Sequence, residues 1–162
     1  MKNELQNQLA ECSRQLNDID TKISALQPFD KTRAYLTQYA LIKVCGTLEY
    51  VYRSIVADFF DQSSLTQIHT YLDKTVRNGS MSAKYDNMSG LLGKFDATWR
   101  NNFVNAIQNR SDGQRLIAST NSLVTNRHLF AHGQPPTATF NDILQYYKDA
   151  LILINELDAA VR

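Results

Sequence analysis

The sequence predicts an all-α protein, an antiparallel bundle of four or more helices with a short helical insertion, and three observations predict it. The chain has only 6 Gly and 3 Pro in 162 residues, so few breakers are left to punctuate strands. Apolar residues recur at spacings of three and four along most of its length, without strand-like alternation. Where that pattern stops, the residues are those that start and end helices. A hydrophobic content of 43% and a charged content of 20% are ordinary for a globular protein. The length suits one domain over residues 1–162, with 1–27 as an N-terminal amphipathic helix.

The first helix, about residues 3–26, carries Leu5, Leu9, Cys12, Leu16, Ile19, Ile23 and Leu26 in a heptad-like seam, and Pro28 closes it. So short a seam can pack inside a bundle or pair with a partner helix; bundle packing is the preferred reading. Asp30 is the expected N-cap of a second helix to about Asp61. That helix has a broad apolar face (Tyr35, Tyr39, Ile42, Cys45, Leu48, Tyr52, Ile55, Val56, Phe59), as a central bundle helix would. A third, from about Ser64 to Val76, ends at Asn78-Gly79-Ser80. Tyr85, Met88, Leu91, Leu92 and Phe95 suggest a short helix weakened by Gly90 and Gly93. Asp96 then caps another that turns Trp99, Phe103 and Ile107 inward. After the turn Ser111-Asp112-Gly113 a helix runs from about Gln114 to His132, stopped by Gly133-Gln134-Pro135-Pro136. The last opens on a capping box, Thr139 to Asp142, and continues on Ile143, Tyr147, Leu151, Ile154, Leu157 and Val161.

Cys12 and Cys45 fall at apolar helical positions, so buried free thiols in a reducing compartment are expected. No apolar run is long enough for a membrane span, and Met1-Lys2-Asn3-Glu4 opens no signal sequence, so a cytoplasmic protein is expected. The net charge is +1, but residues 74–132 hold eight basic groups (Lys74, Arg77, Lys84, Lys94, Arg100, Arg110, Arg115, Arg127) against Asp86, Asp96 and Asp112. A locally basic third suits contact with a polyanion; chance scatter over a solvated surface is the alternative. No zinc-type Cys/His spacing, phosphate-binding Gly loop or dinucleotide pattern occurs, so neither metal nor cofactor is expected. His69, alone beside Ile68, reads as structural, and the tyrosines read as packing. Tyr146-Tyr147 put at least one ring off the apolar stripe, which is compatible with base stacking.

The helix from 114 to 132 is where chemistry concentrates. Leu116, Leu123 and Phe130 centre its apolar stripe, and Arg127 projects inside that stripe. A guanidinium there needs a partner or a polar cleft, because burying it unpaired costs several kcal/mol. His128 and His132, four apart, share the edge of the stripe with Asn121. His132 sits in the final turn, where the helix dipole favours an imidazolium. An exchangeable imidazole beside a fixed cation suits RNA cleavage through its own 2′-hydroxyl without a metal. A dipole-neutralising histidine and an arginine snorkelling from the stripe would look the same at this level.

The run Leu123-Val124-Thr125-Asn126-Arg127-His128-Leu129-Phe130-Ala131-His132-Gly133 resembles the signature of the HEPN superfamily: Arg, four to six residues, then His, with a polar residue after the Arg. Together with the following Thr139-Phe140-Asn141-Asp142-Ile143, it is similar to the branch called RiboL-PSP HEPN. The resemblance implies a helical bundle that dimerises about a two-fold axis, with motifs from both subunits in one cleft. It also implies metal-independent endoribonuclease activity, often in toxins or antiviral defence, leaving a 2′,3′-cyclic phosphate. On this chain Arg127 would hold the scissile phosphate and His132 would be the acid–base group. His128 would position the phosphate or support His132. Apart from the resemblance, Asn121, Asn126 and Arg115 on the same helix are the expected RNA contacts. An antitoxin or a second defence subunit would be a further partner. A toxin branch regulated through a Tyr two residues after the motif His is not matched, since Gln134 stands there. A non-catalytic HEPN module binding nucleotide or RNA, and a helical interaction protein using the first seam, are the alternatives.

Overall fold

The computed structural model describes residues 1–61 and 65–161. These form helices α1 (Asn3–Ala25), α2 (Lys31–Asp58), α3 (Thr66–Leu72) with a π-helical turn after it (Asp73–Arg77), α4 (Tyr85–Phe95), α5 (Ala97–Gln108), α6 (Gly113–Ala131) and α7 (Phe140–Ala160). No strand occurs among the described residues.

The α1 seam is consumed inside the molecule. Leu5, Cys12, Leu16, Ile19 and Ile23 are buried, and the Tyr147 hydroxyl of α7 donates to the Leu9 carbonyl at 2.9 Å. A guanidinium nitrogen of Arg33 closes the C-terminal end of α1 by donating to the carbonyls of Ile23 and Leu26. At the other end Lys2 pairs with Asp58 and Asp61, so α1 and α2 run antiparallel.

Asp30 caps α2 as expected, accepting from the Thr32 N–H at 2.8 Å. The apolar face of α2 is not buried throughout. From Val44 to Ala57 it lies in the core, but Tyr35, Tyr39 and Ile42 are exposed, as is Phe59 just past the helix. The physical reason is cover: the N-terminal half is flanked by the end of α1 and the 136–141 segment, and Tyr35, Tyr39 and Ile42 stay exposed, the Tyr39 hydroxyl donating to Gln15 Oε1 of α1 at 3.5 Å. Phe59 still sets its ring edge-on to Trp99, with centroids 4.7 Å apart.

The third helix was expected from Ser64, which lies outside the described residues; α3 begins at Thr66. It widens into the π turn where Arg77 reaches back to Asp73 and across to Asp58 and Asp61. Leu72 and Val76 are buried. Gly90 and Gly93 fall inside α4 without breaking it, and the Arg100 side chain of α5 packs over Gly93. Asp96 caps α5 by accepting from the Thr98 N–H at 2.6 Å.

Helices α6 and α7 run antiparallel. Asp149, 2% exposed, accepts from Ser119 Oγ at 2.6 Å and from Gln145 Nε2 at 3.0 Å, and pairs with Arg115. The Thr139–Asp142 capping box opens α7. Gly113 begins α6 because a Cβ there would fall on the Ile107 carbonyl oxygen at the end of α5. Gly113→Ala must push the two helices apart. We expect a loss of about 1–3 kcal/mol in urea unfolding, and an unchanged midpoint would show that the joint yields freely.

Candidate functional site

The site occupies the last turns of α6 and the middle of α2. After Ala131 the chain reverses through a Schellman motif: Gly133 takes φ 73°, its N–H donates to the Phe130 carbonyl, and the Gln134 N–H donates to the Leu129 carbonyl at 2.8 Å. His132 is the C-cap, φ −97° and ψ 18°, and its ring is exposed. His128, one turn back, is exposed too; the two rings lie 14° from parallel with centroids 6.5 Å apart.

Arg127 is half-buried, and it has the partner its position requires. Its Nη2 lies 3.3 Å from both carboxylate oxygens of Glu49 on α2. Glu49 is 9% exposed, and the neighbouring Arg53 donates Nε–H to the Glu49 carbonyl at 2.8 Å. Burial raises the Glu49 carboxyl above its ordinary range, while Arg127, Arg53 and His128 pull it back down. At 100° per residue Arg127 and His132 stand about 140° apart around α6, whereas His128 and His132 differ by about 40°. The motif therefore presents a guanidinium turned to α2 and an imidazole pair on another sector of the helix.

The remaining expected residues are engaged within the fold. Asn126 is buried; its Oδ1 accepts from the N–H groups of Thr137 (2.7 Å) and Ala138 (2.9 Å), and its Nδ2 donates to the Ser122 carbonyl. It ties the returning loop to α6. Asn121 Oδ1 accepts from the Tyr85 N–H at 3.2 Å and so anchors the start of α4. Arg115 is held by Asp149 and Asp112, and Arg110 by Asp112 and Glu156. With Arg77 and Arg127 also paired, the basic stretch is half neutralised. Tyr147 is buried, and Tyr146 is half-buried against the core. His69 lies 3.7 Å from Asp61.

Glu49 is the site residue that the sequence reading did not single out. The signal was present: one carboxylate on the apolar face of α2 and one guanidinium on that of α6. Among the described residues, no group of three or more His, Cys, Asp or Glu could hold a metal ion. No described helix is long and apolar enough to cross a membrane.

The all-helical bundle is consistent with the fold of a HEPN-type domain. The family model RiboL-PSP-HEPN matches residues 7–162, and the chain belongs to that family. No curated protein and no solved structure matches the chain. HEPN domains are often RNases, so the family places this protein among RNA-related nucleases and binding modules.

Two outcomes follow from the polar contacts. Asn126→Ala leaves two backbone N–H groups of the loop without an acceptor, and we expect it to cost about 2–4 kcal/mol in chemical denaturation. A loss below about 0.5 kcal/mol would mean that water replaces the amide. For Glu49, a carboxyl raised by folding stabilises the protein while protonated, and that contribution is lost as pH climbs through the raised value. Glu49→Gln should match wild type near about pH 4 and have the higher Tm at neutral pH. A Tm difference independent of pH would show that pairing with Arg127 fully offsets the burial.

Proposed function

We propose that the protein is a metal-independent endoribonuclease, acting as a symmetric dimer in a toxin or antiviral-defence setting. The observation that carries this reading is the half-buried Arg127, held against Glu49, beside the exposed pair His128 and His132 at the end of α6 in a chain of the HEPN type. In the reaction the 2′-hydroxyl oxygen of RNA attacks the adjacent phosphorus and the 5′-oxygen leaves with a proton. The products are a 2′,3′-cyclic phosphate and a 5′-hydroxyl end. His132 moves the proton, and Arg127 stabilises the charge that builds on the phosphoryl oxygens. His128 supports them. Glu49 is a positioning residue that keeps the guanidinium extended along α2.

Two features support the dimer. The angular separation of Arg127 and His132 makes it hard for one helix to bring both to one phosphate, and a two-fold axis would supply the missing group from a second copy. The exposed stripe Tyr35, Tyr39, Ile42 and Gly46 also runs along α2 to Glu49, and such an apolar seam next to the site suits an isologous contact.

The test is cleavage of labelled single-stranded RNA in EDTA. Wild type is expected to leave cyclic-phosphate ends, with His132→Ala slower by about 10²–10⁴-fold and Arg127→Ala by about 10²–10³-fold. Ile42→Glu is expected to yield folded monomers by light scattering and to lose activity with the dimer. Equal cleavage by all variants would mark a contaminant. A wild-type dimer that binds RNA without cutting it would replace this reading by the non-catalytic module.

A further inference from the structure

The two histidines that end α6 have a second chemistry. A helix sets residues i and i+4 side by side, and imidazole nitrogen is the commonest protein ligand of transition metals. His128 and His132 are both exposed, their rings are nearly parallel, and their centroids lie 6.5 Å apart. Two Zn–N bonds of about 2.0–2.1 Å at a tetrahedral angle need nitrogens roughly 3.3 Å apart, which solvated side chains at this spacing reach by rotation about χ1 and χ2. The neighbouring carboxylate, Glu49, is occupied by Arg127 and does not compete for the rings. With two protein ligands and the rest of the shell left to water, such a chelate is open and exchangeable. Nitrogen-only donors select Cu²⁺, Ni²⁺ and Zn²⁺ and reject Mg²⁺ and Ca²⁺, which require oxygen.

We propose that His128 and His132 form a two-histidine chelate for Zn²⁺ and related transition-metal ions, and that occupancy silences the proposed ribonuclease. Coordination takes up the lone pair that His132 needs to accept a proton, so the metal is an inhibitor. That second half rests on the ribonuclease reading; the first half does not.

Binding is therefore measured first without RNA, by titrating ZnCl₂ into the intact protein in a calorimeter, with MgCl₂ as the comparison. Zn²⁺ is expected to bind and Mg²⁺ is not. His128→Ala and His132→Ala should each weaken Zn²⁺ by at least the roughly 10–100-fold that loss of even an outer-shell partner costs. Both side chains are exposed, so the variants should keep the wild-type circular dichroism and Tm; a variant that does not is replaced by the Gln substitution. His69→Ala, which removes the imidazole beside Asp61, should leave the affinity unchanged. Absence of Zn²⁺ binding, or binding lost with His69 and retained without His128, would overturn the chelate. If RNA cleavage is present, Zn²⁺ should suppress it and EDTA restore it. Binding without suppression overturns the inhibitory half alone, and an inactive protein that still binds Zn²⁺ through both histidines leaves the chelate standing while the ribonuclease reading fails.

Discussion

Glu49 lies in the most deeply buried stretch of α2, and a carboxylate so placed must be met by a cation. Arg127 meets it. Removing Arg127 would leave the Glu49 carboxylate in a poorly solvated position, a cost comparable with a good part of a domain's net stability, whereas the guanidinium, a third exposed, could turn to solvent if Glu49 were neutral. The pair therefore fixes where α6 lies against α2, and with it the direction in which the rest of the motif points. Because the guanidinium turns toward α2, His128 and His132 face another sector, exposed. The charge that stabilises the packing is the same one proposed to hold a phosphate.

The end of α6 is held from the other side by uncharged groups. Gly133 reverses the chain with φ 73°, and the Asn126 amide receives the loop where it returns. Farther along, buried Asp149 joins α7 to α6 through Ser119 and Arg115. The histidine pair is thus carried on a helix end whose backbone groups are satisfied before any ligand arrives. Positioning of this kind keeps the entropy cost of ordering a site out of the binding step.

Much of the fold was legible because helix starts and stops are local chemistry. Asp30, Asp96, the Thr139–Asp142 box and Gly133 act where their side chains or their lack of one demand. Cover was not legible. Tyr35, Tyr39 and Ile42 read as core because periodicity reports a face and not what lies against it. The same limit applied to polar groups on α6. Asn126 and Arg115 share a helix with Arg127, and only the three-dimensional fold reveals that α7 and its preceding loop already engage them. Glu49 was hidden for the converse reason, since its partner lies 78 residues away in the chain. The π turn had no sequence signal that we can name.

The two cysteines have a practical corollary. Cys12 and Cys45 are both fully enclosed, and burial pushes the Cys45 thiol up to about 12. Since the nucleophile is the thiolate, the folded chain should be inert to alkylating agents and slow to oxidise at neutral pH. Any modification then has to wait until α1 or α2 lifts away from its neighbours. The labelling rate of these two sulfurs thus reads how often the bundle opens at the joint that supports Glu49.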